Sequence, residues 1–232
     1  MRIIFVRHGE PDYANDCLTP NGEIQAKDTA IRLKDEDIRA VYSSPMGRAR
    51  ITASYTAKEH GLDVQVLDFM HELDWGDKEG VTEPVKYEGH PWTLAYELLA
   101  DDPEASWNNS WKEHPFFRDN ICMEYYEQIS EGFDKFLEGY GIARKNGAYV
   151  EETKFDGSIA IFAHGGSGAV VLSHLLNIPF PTILTVMPYG VCSVTIVDLE
   201  AQTGNKVVPR LELFNDMGHI DVLKAEGLRF EK

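Results

Sequence analysis

The chain has 232 residues, 43% hydrophobic and 26% charged, a balance that suits a globular protein long enough to bury a substantial core. Its 38 acidic residues against 22 basic ones give a net charge of −16, which argues against nucleic acid and anionic membranes as partners. A phosphate site, if present, must then be a small local cluster set against the overall field. No apolar run reaches the ~18 residues of a membrane span. Arg2 and Arg7 bracket an apolar stretch too short for a signal-peptide core, so a cytoplasmic location is expected. Cys17, Cys122 and Cys192 form neither a CxxC pair nor a zinc pattern and read as free or buried thiols, with no metal implied.

In chain order, MRIIFV at 1–6 reads as a short buried strand, and 8–18 as a polar loop. Thr19-Pro20 is a helix start, a hydroxyl cap before a proline, for a helix reaching about Lys34. AVYSS at 40–44 reads as a second strand. Ser44-Pro45 repeats the cap-then-proline signal for a helix to His60, with Gly61 as the stop. VQVL at 64–67 is a third short strand, followed by the acidic loop HELDWGDKEG at 71–80. Residues 81–119 carry four prolines and Trp92, Trp107 and Trp111, and read as a mostly helical insertion that caps something.

Residues 120–140 have helical spacing of Ile121, Tyr125, Ile129, Phe133 and Leu137. SIAIFA at 158–163 is the next strand; His164-Gly165-Gly166-Ser167 follows, and 168–176 continue as a helix. CSVTIVDL at 192–199 alternates as a strand, AQTGN turns, and KVVPRLELF returns as an antiparallel partner. Alternating strands and helices predict an α/β fold: a single-domain three-layer α/β/α sandwich with a mostly parallel sheet and an insertion at about 81–119 near the active site. Ligands of such sheets sit at the carboxyl ends of the strands. Three strands lead there to Arg7-His8, Arg48 and His164.

The segments VRHGE (6–10), LTPNGEIQA (18–26), SSPMGRARITA (43–53), HELDWGDKEG (71–80) and AHGG (163–166) together resemble the histidine phosphatase, or phosphoglycerate mutase-like, superfamily. The resemblance covers nearly the whole chain outside 81–119. It implies a metal-independent, cofactor-free phosphatase that hydrolyses a small phosphomonoester through a phosphohistidine. His8 takes the place of the nucleophile, and Gly9 lets the backbone approach the ligand. Arg7 and Arg48 correspond to the phosphate clamps, whose planar forks of donors suit phosphoryl oxygens. His164 corresponds to a further donor, with the Gly165 N–H beside it. Glu72 corresponds to the acid that protonates the leaving group and then activates water.

Where the family carries an asparagine in its first loop, Asn15 is a shifted candidate, and Asp12 and Tyr13, which depart from the usual wording, are candidates for substrate selection. His90, His114 and Arg118 are candidates for substrate selection, set against a reading as exposed residues of the insertion. Asp74, Asp77 and Glu79 are rivals of Glu72 for the acid; Glu10 and His219 read as structural. The insertion lacks the paired arginines of cofactor-dependent mutases, so a mutase-type phosphoryl transferase stands second. A non-catalytic phosphoryl-binding module is the alternative from another class. The expected partner is a small phosphorylated metabolite, and exposed tryptophans in the insertion would permit a homodimer.

Overall fold

The structure, a computed structural model, describes residues 1–220. The chain enters through β1 (Arg2–Arg7), makes a small hairpin from β2 (Pro11–Asp12) and β3 (Cys17–Leu18), and continues through α1 (Pro20–Leu33), β4 (Ile38–Ser43), α2 (Gly47–His60) and β5 (Val64–Val66). The next segment holds α3 (Pro91–Asp101) and α4 (Pro115–Arg118), linked by single 3₁₀ turns. Then come α5 (Cys122–Glu138), the hairpin β6 (Ile142–Lys145) and β7 (Ala148–Glu151), β8 (Ser158–Ala163), α6 (Gly165–Leu176), α7 (Phe180–Val186), β9 (Val194–Asp198), β10 (Lys206–Val207) and β11 (Arg210–Asp216).

Contacts divide the described residues into two compact units, one of residues 1–71, 134–165 and 189–220, the other of 72–133 and 166–188. The first unit is built on a six-stranded sheet in the order β11-β9-β1-β8-β4-β5. β1, β8, β4 and β5 run parallel, while β9 and β11 are antiparallel to their neighbours. The α/β class and the mostly parallel sheet are therefore as expected. β1 and β8 bury consecutive side chains, the pattern of strands covered on both faces. Ile4, Val6, Val41, Ala160, Phe162 and Ile196 form one apolar cluster with Leu33 of α1 and Ala53 and Ala57 of α2.

Several elements differ from the sequence reading. α2 begins at Gly47 rather than Pro45, because its N-cap is Met46 and Ser44 does not cap it. Thr19 does cap α1, its hydroxyl accepting from Gly22 N at 3.0 Å. α6 starts at Gly165, three residues early. KVVPRLELF is not one strand: on either side of Val208-Pro209, β10 pairs with β7 and β11 pairs with β9. β2 and β3 lie within the expected loop. The β6–β7 hairpin and α7 had no counterpart in the reading. The hairpin turns on Asn146-Gly147, both at positive φ, the two-residue turn that Asn-Gly favours.

The second unit contains the expected insertion and is helical with an aromatic core. Trp111 is 1% exposed and meets the rings of Phe117, Tyr126 and Phe180. Asn120, fully buried, holds the loop ahead of this core: its amide donates to Gly89 O at 2.6 Å and its carbonyl accepts from Cys122 N at 3.0 Å. Of the three tryptophans in 81–119, Trp107 is largely exposed.

Candidate active site

The parallel pairing of β1, β8 and β4 extends one residue past each strand. Arg7 is in register with Ala163, and His8 N donates to Ala163 O at 2.9 Å. Ser43 is in register with Phe162, and Ser44 N donates to Phe162 O at 2.9 Å. His8, Ser44 and His164 thus leave the sheet together at its carboxyl edge, where ligands of such sheets sit. The ring centroids of His8 and His164 lie 5.1 Å apart.

His8 is 1% exposed, and its Nδ1 is 2.7 Å from Gly9 O. A carbonyl only accepts, so Nδ1 carries the proton and Nε2 keeps its lone pair. Burial, with Arg7 and Arg48 adding to it, lowers the pKa of His8 to about 3 against the Gly9 hydrogen bond. The imidazole is therefore neutral and nucleophilic at neutral pH. The backbone is pinned as well: Gly9 N donates to Thr52 Oγ1 at 3.0 Å, and the Thr52 hydroxyl donates to Arg48 O at 2.8 Å. Gly9 also has a structural reason to be glycine. A Cβ there would lie 2.7 Å from Gly22 O, so the residue admits the start of α1.

Arg7 donates through Nη1 to Tyr189 O at 3.0 Å. Tyr189 also donates its hydroxyl to Gly165 O at 2.7 Å, tying the strand-to-helix turn after β8. Arg48, 5% exposed, donates through Nη1 to Asp16 Oδ1 at 2.7 Å. Asp16 Oδ2 accepts from Gly47 N at 2.6 Å, the capping contact that Ser44 does not make. Arg7 Nε, Arg48 Nε and His164 Nδ1 are buried with no hydrogen-bond partner in the protein. Buried donors of this kind fit an anion with several acceptor oxygens.

His164, 1% exposed, places Nε2 2.7 Å from Ser44 Oγ. Burial, then His8, Arg48, Arg7 and His71, hold its pKa well below the ordinary value. Sequence reasoning missed Asp16, Ser44, Thr52 and Tyr189. Of these, only Ser44 and Thr52 lay within a motif that marked the site, SSPMGRARITA.

In the second unit, Glu72 takes the start of α6. Its Oε1 accepts from Gly166 N and Ser167 N, both at 3.0 Å, and from Leu73 N at 2.9 Å; Oε2 receives a longer contact of 3.3 Å from Gly166 N. Its acidic rivals do local work: Asp77 accepts from Val85 N and Asp74 from Trp75 N.

The weaker candidates have contacts of their own. Asn15 donates its amide to Asp12 Oδ2 at 2.8 Å on the exposed side of the first loop. Tyr13 is exposed, its ring centroid 5.4 Å from the Arg48 guanidinium carbon. His90 and His114 are N-caps, of α3 and α4, and Arg118 pairs with Asp119. Glu10 is structural as expected, accepting from Thr19 and Asn21. Among the described residues no cluster of His, Cys, Asp and Glu could hold a metal, and no helix is long and apolar enough to cross a membrane.

Comparison with known proteins agrees with the fold. Phosphoserine phosphatase of Entamoeba histolytica superposes with a TM-score of 0.60 at 22% identity, over 94% of this chain and 98% of that one. A mycobacterial glucosyl-3-phosphoglycerate phosphatase gives 0.61 at 21% identity, over 92% and 98%. In sequence, the Bacillus subtilis (strain 168) protein named "Uncharacterized phosphatase PhoE" is 31% identical over 75% of this chain and 76% of its own. A "Probable phosphoglycerate mutase GpmB" of Photorhabdus laumondii is 33% identical over 33% of this chain, and that match spans 40% of the relative's length. A "Probable phosphatase" of Schizosaccharomyces pombe is 34% identical over 34% of this chain and 32% of its own length. The family profile described as histidine phosphatase superfamily (branch 1) matches residues 3–212, and the chain belongs to that superfamily.

Proposed function

We propose that the protein is a phosphatase that hydrolyses a small phosphomonoester through a phosphohistidine on His8. The observation that carries the reading is the state of His8: a buried, neutral imidazole, its Nδ1 proton held by Gly9 O, beside Arg7 and Arg48, whose buried Nε donors have no protein partner. Nε2 attacks phosphorus, and the phosphoryl group passes to it from the ester oxygen. Arg7, Arg48 and the Nδ1 side of His164 take the charge on the three equatorial oxygens. The family resemblance assigns the proton for the departing alkoxide to Glu72. The resulting carboxylate then takes a proton from water, whose oxygen attacks the phosphohistidine and releases phosphate and neutral His8.

The charge neutralisation assigned to the arginines makes the enzyme metal-independent. The thiols Cys17, Cys122 and Cys192, all free, support a reducing, cytoplasmic setting. The likeness to GpmB favours, as a second reading, transfer of the phosphoryl group back to the substrate rather than to water.

The test is hydrolysis of p-nitrophenyl phosphate with EDTA present. Wild type turns over, and His8→Ala loses about three orders of magnitude or more in kcat. Equal rates in the two, or activity abolished by EDTA, would overturn the reading. Isomer exchange of phosphoglycerate without phosphate release establishes the transferase instead.

A further inference from the structure

We propose that Ser44 is a positioning residue that fixes His164 in the tautomer carrying its proton on Nδ1. The inference rests on the phosphatase reading above, in which His164 acts as a donor to the phosphoryl group.

The argument is an accounting of protons around one hydroxyl. Ser44 is fully buried, and its Oγ has two partners. Met46 N, 3.2 Å away, is a donor, so Oγ accepts there. His164 Nε2, 2.7 Å away, is then the one partner that can take the serine proton. If Nε2 itself carried a proton, the serine would receive two donors and its own O–H would point at no acceptor. A buried hydroxyl without an acceptor is costly. The serine therefore donates, Nε2 accepts, and the proton of the neutral ring resides on Nδ1.

Nδ1 is the atom that is buried without a protein partner. A ring in the other tautomer would aim a lone pair at the phosphoryl oxygens and repel them. A doubly protonated ring would also donate, but the charged groups beside it oppose that form. Arg7 and Arg48 are cationic neighbours, and His8 and His71 lower the pKa further in the same direction. A neutral ring works as a donor here only if its tautomer is fixed. Gly9 O does this for His8, and Ser44 does the reverse for His164. One ring exposes a lone pair to phosphorus and the other an N–H to oxygen.

Long-range ¹H–¹⁵N correlation spectra of the histidine-labelled full chain report each ring's tautomer, with His164 assigned through His164→Ala. In wild type at pH 7 His164 shows the Nδ1–H pattern. In Ser44→Ala it shifts toward Nε2–H, and kcat on p-nitrophenyl phosphate falls about 10- to 100-fold, the range for removing a partner that orients a histidine. Ser44→Thr keeps the hydroxyl and restores both. A wild-type ring that is Nε2–H or doubly protonated overturns the proposal, whether or not the variant folds. So does a Ser44→Ala protein in which either the tautomer or kcat is unchanged. A wild type that hydrolyses no phosphomonoester counts against the function while its spectrum still decides the tautomer.

Discussion

Four histidines separate the two units of the molecule. In the first unit, His8 and His164 are buried at a sheet edge, and each has one nitrogen committed to the protein, to Gly9 O and to Ser44 Oγ. In the second unit, His90 and His114 also use one nitrogen, but as helix caps: Nδ1 accepts from Thr93 N and from Phe116 N. All four have lowered pKa values, with burial the leading cause in each. The shift alone thus does not mark a site. What differs is the company: two arginines whose buried Nε donors lack a protein partner in the first unit, aromatic rings in the second.

The largest effect tests whether the second unit's aromatic core is structural. Trp111→Ala lowers unfolding free energy by about 3–5 kcal/mol, read by urea denaturation, because a large buried side chain leaves a cavity. A loss below about 1 kcal/mol would mean that this core is loosely packed and the contrast false. Next, Arg48→Ala reduces kcat/KM for p-nitrophenyl phosphate by about 10²- to 10³-fold, the scale of losing a preset donor to developing charge. Activity within about threefold of wild type removes Arg48 from the clamp.

Glu72→Gln keeps an acceptor for Gly166 N and Ser167 N but has no proton to give. It slows alkyl phosphates about 100-fold and p-nitrophenyl phosphate far less, since that leaving group needs little protonation. Equal slowing of both substrates points to another acid, and Asp74 is the next variant to make.

The smallest effect is a slope. Unfolded His8 takes up a proton below its ordinary pKa of 6.5, whereas the folded group does so only near 3. Stability therefore falls as pH drops through this window, by up to about 1.4 kcal/mol per pH unit from His8 alone. Denaturation of wild type and His8→Ala between about pH 4 and 7 measures the difference. Parallel curves would show that His8 takes up its proton in the fold as it does in the unfolded chain.

Much of this was legible in the sequence. Val6-Arg7-His8 and Ala163-His164 each end an apolar run in a polar group, and the parallel register carries both to one edge. Thr19-Pro20 and Ser44-Pro45 looked identical locally yet differ in the fold. Thr19 caps its helix, while Ser44 is drawn off by a histidine 120 residues away. No local signal encodes such a pairing. Asp16 is similar: its capping of Gly47 and its hold on Arg48 exist only once the first loop folds back. Asn15, by contrast, was read from family wording, and its amide is spent on Asp12. The β6–β7 hairpin was within reach, since Asn146-Gly147 is a strong turn signal, but Arg144 and Lys145 masked the alternation that accompanies one.

The contacts from Arg7 to Tyr189 O and from Arg48 to Asp16 have a consequence for ligand capture. An arginine side chain carries roughly 2 kcal/mol of rotamer entropy. Each guanidinium here is already held through one nitrogen by a protein oxygen. That ordering is paid for when the chain folds, not when an anion arrives. A protein of net charge −16 repels phosphate at a distance, and two cations already oriented are how it can recover the affinity at close range.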